Sequence, residues 1–390
     1  MKVDIWSPMP PTPSGIAHYV DMLFGCGLDP FDVSFHTDAD AKPRDGALQV
    51  YQLGNNPHHE FLYEAANERP GIIEIHDFSL HHLVTEMTLA RNDSPSYVKM
   101  LEASAGTTGR LYAMRRLNGH FHSRLEFDLP LLEDLVRRSP HIIVHSKWAR
   151  ERVRMMCHDA NVSLIPHFSM QPGDVGLDPD QRDSLRKKYK IKPDEIVIVC
   201  AGFVTEPKRI PWILRALEAC QKAGQRNFRL IISGEVQNPQ FLDPLRQLPD
   251  ASKVTVTGFA GEHQFNELCL LADVMPVLRW PSVGESSGVA MRALGFGAEV
   301  VALAYKSFTD LPAPYVDFVS LTSEEQIIED LTNIFMSKLA SPPRDQDARA
   351  EQIEQIASTY SLAASRTAYK DLFLSLSPQT EKDEHVFEAH

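Results

Sequence analysis

Cysteine is scarce in this chain of 390 residues. Its five cysteines make an odd number, and no two of them form a CxxC pair. That pattern argues against a disulfide framework. Cys200 lies in an apolar strand-like run, and Cys220 and Cys269 lie in helical patterns. We therefore expect buried free thiols in a reducing compartment.

The chain also lacks a long apolar run and an excess of basic residues. No stretch is long and apolar enough to span a bilayer, and residues 1–14 contain no apolar core of signal-peptide length. The formal net charge of -13 disfavours broad nucleic-acid binding, which needs clustered Lys and Arg. We expect a cytoplasmic protein with no nucleic-acid partner, and peripheral contact with the inner face of the membrane stays open.

What the chain contains is a regular alternation of strand and helix patterns. Hydrophobic residues make up 43% of it, which is enough for a sizeable core. The apolar runs typical of strands buried on both faces are residues 3–6, 48–53, 71–76, 141–145 and 162–166, and then 195–201, 228–232, 254–257, 273–278 and 299–304. The alternation predicts an α/β protein with two Rossmann-like, doubly wound parallel sheets that face each other across a cleft.

Composition indicates where the domains divide. Residues 171–180 are rich in Gly, Pro and Asp, as linkers are. The predicted segments are a first domain at 1–170 with a helical insert at about 79–138, a linker at 171–185, a second domain at 186–345, helices at 346–376 that could return to the first domain, and a flexible tail at 377–390.

One segment of the second half carries most of the chemistry. The apolar strand that ends at Leu278 is followed by a tight turn and a short helix. Such a turn aims backbone N–H groups outward and binds phosphate, so the amides of Ser286, Ser287 and Gly288 are candidates. Glu285 beside them could accept hydrogen bonds from sugar hydroxyls. The alternative is an ordinary helix that Ser286 or Ser287 caps.

Several motifs occur in an order and spacing typical of one family. In the second half they are residues 199–202 followed by Lys208, then 254–259, 271–274 and 285–294. In the first half they are residues 10–15, 75–77, 145–148 and 162–167. With these motifs the chain resembles the retaining glycosyltransferases of the GT-B fold, in the broad group often called family 4. The resemblance covers most of the chain and is strongest from 196 to 304.

The resemblance implies roles for particular residues. Lys208 matches the family's diphosphate-binding lysine, and His76 matches its active-site histidine. The predicted catalytic residues are His76, Lys208 and Glu285. The predicted donor-binding residues are Gly15, Gly202, Lys208, Arg209, Glu285, Ser286, Ser287, Gly288 and Val289. The residues alone leave open a solvated lysine at 208 and a structural histidine at 76. Arg209 ranks below Lys208, because successive residues point in different directions.

Two positions depart from the family pattern. Of the usual pair of glutamates only Glu285 is present, and Arg292 occupies the region of the second. Phe203 stands where many relatives have an arginine, and Arg209 or Arg279 would have to supply the missing charge. These departures leave the donor sugar open and leave room for an inactive or repurposed copy.

The implied reaction moves a sugar from a nucleoside-diphosphate sugar to a glycan or glycolipid hydroxyl, in surface polysaccharide or glycolipid synthesis. No Asp-x-Asp stands in a setting that suggests metal binding, so we expect no metal and no cofactor. The resemblance favours same-face attack over a covalent intermediate. The alternatives are a sugar-nucleotide isomerase on the same architecture and a non-catalytic partner subunit.

The helical insert has a basic and aromatic character of its own. Its arginines and aromatic residues are Arg110, Arg115, Arg116, Arg124, Tyr112 and Phe121. They could form an acceptor wall, touch anionic lipid head groups or present a solvated helix face. His120 and His122 are too few for a metal site.

Overall fold

The computed structural model describes residues 1–120, 126–127 and 129–377. These residues form two six-stranded sheets, and every strand pairing within the sheets is parallel. The predictions for Phe121, His122 and Arg124, and for the tail after residue 377, fall outside the described residues.

The first sheet contains the strands β1 (Lys2–Trp6), β2 (Asp32–His36), β3 (Leu48–Leu53), β4 (Ile72–Ile75), β5 (Ile142–Val144) and β6 (Val162–Leu164). Their order is β2-β1-β3-β4-β5-β6. The direction of winding reverses between β1 and β3, and ligands bind at such switch points. The sequence did not predict β2, because this edge strand is partly exposed and lacks a continuous apolar run.

The helices of the first half are α1 (Gly15–Phe24), α2 (Glu60–Glu68), α3 (His81–Met87), α4 (Ser94–Leu117), α5 (Glu133–Arg138) and α6 (Lys147–Met156). The predicted insert is thus divided into several helices. Within α4 the backbone is interrupted at Gly106, whose φ of 58° is left-handed.

The second sheet contains the strands β7 (Ile196–Ala201), β8 (Phe228–Ser233), β9 (Val254–Gly258), β10 (Val274–Val277), β11 (Glu299–Leu303) and β12 (Val316–Val319). Their order is β12-β11-β10-β7-β8-β9, the order of dinucleotide-binding sheets. Its switch point lies between β7 and β10. The edge strand β12 was not predicted either.

The helices of the second half are α7 (Arg182–Lys188), α8 (Ile210–Lys222), α9 (Glu262–Leu271), α10 (Gly288–Gly295), α11 (Glu324–Leu339), α12 (Gln346–Tyr360) and α13 (Leu362–Ser375). Between β8 and β9 the segment Pro239–Gln247 is a run of 3-10 turns and not an α-helix, because Pro244 lacks the N–H that an α-helix needs. Among the described helices, none is long and apolar enough to cross a membrane.

The last helix packs on the first half of the chain. The hydroxyl oxygens of Tyr369 on α13 and Tyr19 on α1 lie 3.0 Å apart, and the rings of Tyr369 and Phe24 are 5.3 Å apart. One hydrophobic cluster includes side chains of both sheets, among them Ile5 of β1 and Val199 of β7. Burial of each large apolar side chain stabilises the fold by about 1.5–3 kcal/mol. The two halves therefore share packing behind the site.

Candidate active site

A cavity of about 520 Å³ lies at the carboxyl ends of both sheets. Its walls come from the segments that follow β1, β3, β4, β5 and β6 of the first sheet and β10 of the second. Small-ligand sites in proteins have volumes of this order. Five of the predicted site residues line it: Gly15, His76, Glu285, Ser286 and Gly288. The structure thus brings predicted residues from distant parts of the sequence to one cavity.

Glu285 is fixed in the cavity wall by two neighbours. Its Oε2 accepts a hydrogen bond of 2.6 Å from Ser282 Oγ, and its Oε1 lies 2.9 Å from Arg279 Nη1. Only 12% of its side chain is exposed. The carboxylate is therefore held in one orientation before any ligand arrives.

The turn before Glu285 requires glycine at position 284. Gly284 has a φ of 83°, and a Cβ built on it would lie 2.3 Å from Trp148 Cζ3. Trp148 belongs to α6, so the loop after β10 packs directly against the first half of the chain. A larger residue at 284 would have to displace Trp148 or the loop that carries Glu285.

We expect Gly284→Ala to lower the free energy of unfolding by about 2–4 kcal/mol, of which about 1 kcal/mol is backbone strain and about 1–3 kcal/mol is overlap with Trp148. Urea denaturation measures this difference. Gly27→Ala is the matched control, because Gly27 has a φ of 78° but no atom within 4 Å of the added Cβ. Equal losses in the two variants would contradict the role of the Trp148 contact.

The helix α10 begins at the edge of the cavity. Ser287 is its N-cap, and Ser287 Oγ accepts a hydrogen bond of 3.1 Å from the N–H of Ala290. The capping alternative therefore describes this side chain. Gly288 is exposed and lines the cavity, and Ser286 and Ser287 also line a smaller cavity of about 110 Å³. The positive end of the helix thus lies where an anion can approach it.

Lys208 lies in the 3-10 turn Glu206–Lys208 after β7, and its side chain reaches back to the carboxyl end of that strand. Its Nζ donates a hydrogen bond to Ala201 O, and a Cβ on Gly202 would lie 2.5 Å from Nζ. The φ of 86° at position 202 favours glycine, and a side chain there would also displace Lys208 Nζ. Burial and the positive charge of Arg279 lower the pKa of Lys208 to about 7. Because β7 and β10 are neighbours, Lys208 and the start of α10 lie at the same edge of the sheet.

Arg209 supports the loop after β10. Its guanidinium lies 4.7 Å from the ring of Trp280 and 5.0 Å from the ring of Trp212, and its Nε donates to Trp280 O at 2.8 Å. A contact between Arg209 and a bound diphosphate would require this side chain to leave Trp280. Arg279, which the sequence offered as an alternative source of charge, lines the cavity itself.

Both ring nitrogens of His76 have a protein partner. Its Nε2 lies 2.7 Å from Gln52 Oε1, and its Nδ1 lies 3.3 Å from His145 Nε2. The buried Glu74 lies behind the two rings, with Oε1 3.4 Å from His145 Nε2. Glu74 and His145 were absent from the predicted set. A glutamate inside the apolar run 71–76 was the visible signal, because a buried charge requires partners.

Burial dominates the electrostatics of this histidine cluster. It lowers the pKa of His76 well below the ordinary value, the pKa of His145 to about 3 and the pKa of His167 to about 4. It raises the pKa of Glu74 to about 7. The low dielectric disfavours the charged form of each group. The three histidine rings are therefore neutral at pH 7, and the carboxyl of Glu74 is partly protonated.

Asp77 is a second carboxyl in the cavity wall. Its Oδ2 accepts a hydrogen bond of 2.7 Å from the N–H of Asn55. Burial and the negative charge of Glu285 raise the pKa of Asp77 to about 6. The sequence analysis included it only within the motif at 75–77, yet it lines the cavity directly.

The remaining predicted positions have simpler surroundings. A Cβ on Gly15 would meet nothing within 4 Å, so a small residue keeps the cavity open at the start of α1. Val289 is partly buried and packs on the core. Arg292 is an internal partner of Asn266, with Nη1 2.5 Å from Oδ1. Phe203 is 52% exposed at the end of β7.

No family model matches the chain. Over 130 residues it is 30% identical to an uncharacterized glycosyltransferase of Methanocaldococcus jannaschii, and the match covers 33% of this chain and 32% of that protein. The matched segment therefore spans about a third of the relative's length.

Solved structures resemble the chain over nearly its whole length. Anabaena HepE in complex with UDP and glucose has a TM-score of 0.63 at 12% identity, covering 96% of this chain and 100% of that one. Sucrose-phosphate synthase of Thermosynechococcus elongatus has a TM-score of 0.62 at 13% identity, and the match covers 96% of this chain and 99% of that one. WaaG, a glycosyltransferase involved in lipopolysaccharide biosynthesis, has a TM-score of 0.56 at 15% identity, and the match covers 95% of this chain and 99% of that one. The predicted GT-B fold is confirmed.

Proposed function

We propose that the chain is a retaining, metal-independent glycosyltransferase that moves a sugar from a nucleoside-diphosphate sugar to a glycan or glycolipid hydroxyl. The observation that carries this proposal is the position of Lys208, Arg279 and the start of α10 at one sheet edge, beside Glu285 and the cavity. The bound UDP and glucose of HepE support a nucleotide-sugar donor, and WaaG supports a role in surface glycan synthesis.

The leaving diphosphate gains negative charge as the sugar–phosphate bond breaks. Lys208 supplies a cation at the end of β7, and the N–H groups at the start of α10 supply donors. The N–H groups of α10 are held in place by the helix, and Lys208 has to turn only from Ala201 O toward the diphosphate. One such donor stabilises a transition state by about 3–4 kcal/mol.

Glu285 receives the donor's hydroxyl groups in this proposal. Ser282 and Arg279 fix its carboxylate, and its remaining lone pairs can accept hydrogen bonds from the sugar or the ribose. The adjacent α10 N-terminus would bind phosphate. One loop would thus bind both the hydroxyl groups and the phosphates of a nucleotide sugar.

We propose same-face attack for the transfer. The acceptor hydroxyl attacks the anomeric carbon from the side of the leaving diphosphate, and a diphosphate oxygen takes its proton. The acceptor would enter past the segments that follow β1 and β4, whose residues form the opposite wall of the cavity. His76 and Asp77 lie on this wall, and a catalytic role for His76 stays a prediction.

Affinity for the diphosphate is expected to fall as pH rises above the pKa of Lys208, about 7. Below that pH the lysine is protonated and binds an anion, while above it binding must first take up a proton. The apparent affinity should decrease by up to about tenfold per pH unit. Calorimetric titration of UDP and GDP across this range measures the change, and buffers of different ionisation enthalpy reveal the proton uptake.

Lys208→Ala is the control for this pH profile. Because the nucleotide titrates in the same range in both proteins, the difference between the two profiles isolates the lysine. Identical slopes in the wild type and in Lys208→Ala would show that another group governs the dependence.

The donor itself can be identified with a panel of labelled nucleotide sugars. Calorimetry measures binding, and release of free sugar or transfer to added glycans measures turnover. We expect at least one donor to bind and to be turned over. If no nucleotide or nucleotide sugar binds at millimolar concentration, the proposal fails.

A sugar-nucleotide isomerase is the second candidate. It needs two acid/base carboxyl groups in the cleft, and the structure places Asp77 and Glu285 on the same cavity. Product analysis in the absence of any acceptor separates the two activities. An isomerase converts the donor into a second nucleotide sugar, whereas a glycosyltransferase releases nucleoside diphosphate.

A further inference from the structure

A short segment lies between the loop that carries Glu285 and the first half of the chain. Lys306–Asp310 forms a 3-10 turn shortly after β11, and the Glu285 loop, residues 279–287, follows the neighbouring strand β10. Because β10 and β11 are parallel, both segments lie at the carboxyl edge of the second sheet. The turn Lys306–Asp310, here called the bridging segment, is therefore a direct neighbour of the Glu285 loop.

Two side chains of the bridging segment hold the backbone of the Glu285 loop. Ser307 Oγ donates a hydrogen bond to the carbonyl oxygen of Glu285. Lys306 Nζ donates to the carbonyl oxygen of Ser282 at 2.8 Å. The hydroxyl of Ser282 in turn donates to the Glu285 carboxylate and accepts the N–H of Gly284 at 2.9 Å. The loop is thus fixed both at the residue that carries the carboxylate and at the residue that orients it.

Other contacts of the bridging segment bind the first half of the chain. Asp310 Oδ2 accepts a hydrogen bond of 3.0 Å from the N–H of Trp148 in the first turn of α6. An N–H in this turn has no partner within the helix, and the helix dipole favours a carboxylate at this end. Lys306 Nζ also donates to the carbonyl oxygen of Phe127 at 2.8 Å. One ammonium group therefore holds a carbonyl of each half.

Lys306 has a backbone conformation that side chains rarely adopt. Its φ of 50° is left-handed, which costs free energy for any residue other than glycine. Residues keep such a conformation where the surrounding contacts compensate for it. The ammonium of Lys306 lies 2.8 Å from the two carbonyl oxygens and 5.7 Å from the centre of the Trp148 ring. These side-chain contacts give a reason for lysine, and not glycine, at this position.

We propose that Lys306, Ser307 and Asp310 are positioning residues, which hold the Glu285 carboxylate in its ligand-binding place against the first half of the chain. The inference rests on the proposed function, in which Glu285 binds the hydroxyl groups of the nucleotide sugar. It adds that the position of this carboxylate is set by contacts with α6 and Phe127, and so by the packing of the two halves. The three residues act through Glu285 and need not contact the ligand themselves.

A purely structural contact between the halves is the competing explanation. It predicts that loss of the contact lowers stability without a selective effect on the Glu285 carboxylate. The hydrogen bonds favour positioning, because they end on Glu285 itself and on Ser282, whose hydroxyl holds that carboxylate. Gly284, between these two residues, has no room for a Cβ beside Trp148. A shift of α6 would therefore be transmitted to the loop.

Hydrogen exchange of the ligand-free, full-length protein tests these contacts without any nucleotide. Exchange is followed by mass spectrometry in peptides that cover residues 282–288 and 147–150. Lys306→Met and Asp310→Ala should each speed exchange in both segments by about tenfold, because the same residues hold the two segments together. The reporting amides are those of Gly284 and Trp148.

Lys338→Met is the matched control for a general loss of stability. Lys338 Nζ lies 2.8 Å from Glu299 Oε2 and 2.7 Å from Asp317 Oδ2, at the opposite end of β11 from Lys306. The control should leave exchange in both segments within about twofold of the wild type. Unchanged exchange in the two bridging-segment variants, or an equal increase in the control, would overturn the proposal.

A double-mutant cycle with Glu285→Gln separates positioning from stability. Calorimetry measures the affinity for UDP-glucose, or for the donor from the panel if another binds more tightly. Lys306→Met should weaken binding about tenfold in the wild-type protein but less than about twofold beside Glu285→Gln, because both changes act on the same carboxylate. If Lys306→Met does not fold, the cycle is repeated with Ser307→Ala, which removes only the hydroxyl that holds the Glu285 carbonyl. Equal effects in the two backgrounds would leave only a structural role.

Together the two measurements separate this inference from the proposed function. Faster exchange in the variants without binding of any nucleotide contradicts the proposed function but leaves the bridging contacts established. Nucleotide binding with unchanged exchange, or with additive effects in the cycle, contradicts only this inference.

Discussion

Replacing Lys208 by alanine is expected to lower the rate constant of sugar transfer about 10²–10³-fold, because one preorganised donor to a developing anion stabilises the transition state by about 3–4 kcal/mol. The Lys208 ammonium is partly buried against Ala201 O and Gly202, so its charge is less screened by water than that of an exposed lysine. Steady-state kinetics with the donor identified by the panel measure the effect. The loss should fall mainly on kcat, since the charge develops as the bond breaks.

A surface lysine of the same domain is the control for this variant. Lys222 lies at the end of α8, 64% exposed, in an ion pair with Glu218. Lys222→Ala should leave kcat within about twofold of the wild type, since exposed ion pairs contribute little. A Lys208→Ala enzyme with normal kcat would show that the leaving group is stabilised elsewhere.

Glu285→Gln is expected to lower kcat/KM for the donor about 10–100-fold, because hydrogen bonds to a charged acceptor contribute about 1.5–3 kcal/mol. Glutamine keeps the size of the side chain and its hydrogen bond with Ser282 but loses the charge that pairs with Arg279. Donor kinetics and calorimetric affinity for the intact nucleotide sugar measure the change.

Glu218→Gln is a matched control for Glu285→Gln. The two glutamates are similarly buried, 14% and 12% exposed, and each pairs with one cation. The control should leave kcat/KM unchanged. The same two variants can be tested in cells from which the gene has been deleted. If Glu285→Gln and Lys208→Ala each restore the wild-type phenotype fully, catalysis is not the function of the chain. A non-catalytic partner subunit then becomes the better explanation.

The central strands could be predicted because strands buried on both faces read as continuous apolar runs. β7 is the plainest case, with all six residues buried. The edge strands β2 and β12 could not, because their partly exposed faces carry polar residues such as Ser34 and Asp317.

The positions of several site residues followed from topology. The carboxyl ends of parallel strands meet at one sheet edge, so the residues after β7 and β10 had to lie close together. The same rule placed His76 at the end of β4. The directions in which the side chains point could not be predicted from the sequence. The turn of Arg209 toward Trp280 and the contact of Gly284 with Trp148 depend on packing between distant segments.

The histidine cluster shows the same limit. Glu74 and His145 are 71 positions apart in the sequence and become neighbours only through the pairing of β4 with β5. His145 was noticed only as part of a motif. The orientation of its ring is set by a hydrogen bond to the carbonyl oxygen of Ile165, and Ile165 follows a third strand, β6.

A crystal structure of the protein soaked with UDP or GDP tests the central claim most directly. The account predicts the diphosphate within hydrogen-bond distance of Lys208 Nζ and of the backbone amides at 286–289, with Lys208 released from Ala201 O. A nucleotide bound away from this edge, with Lys208 still on Ala201 O, would contradict the account.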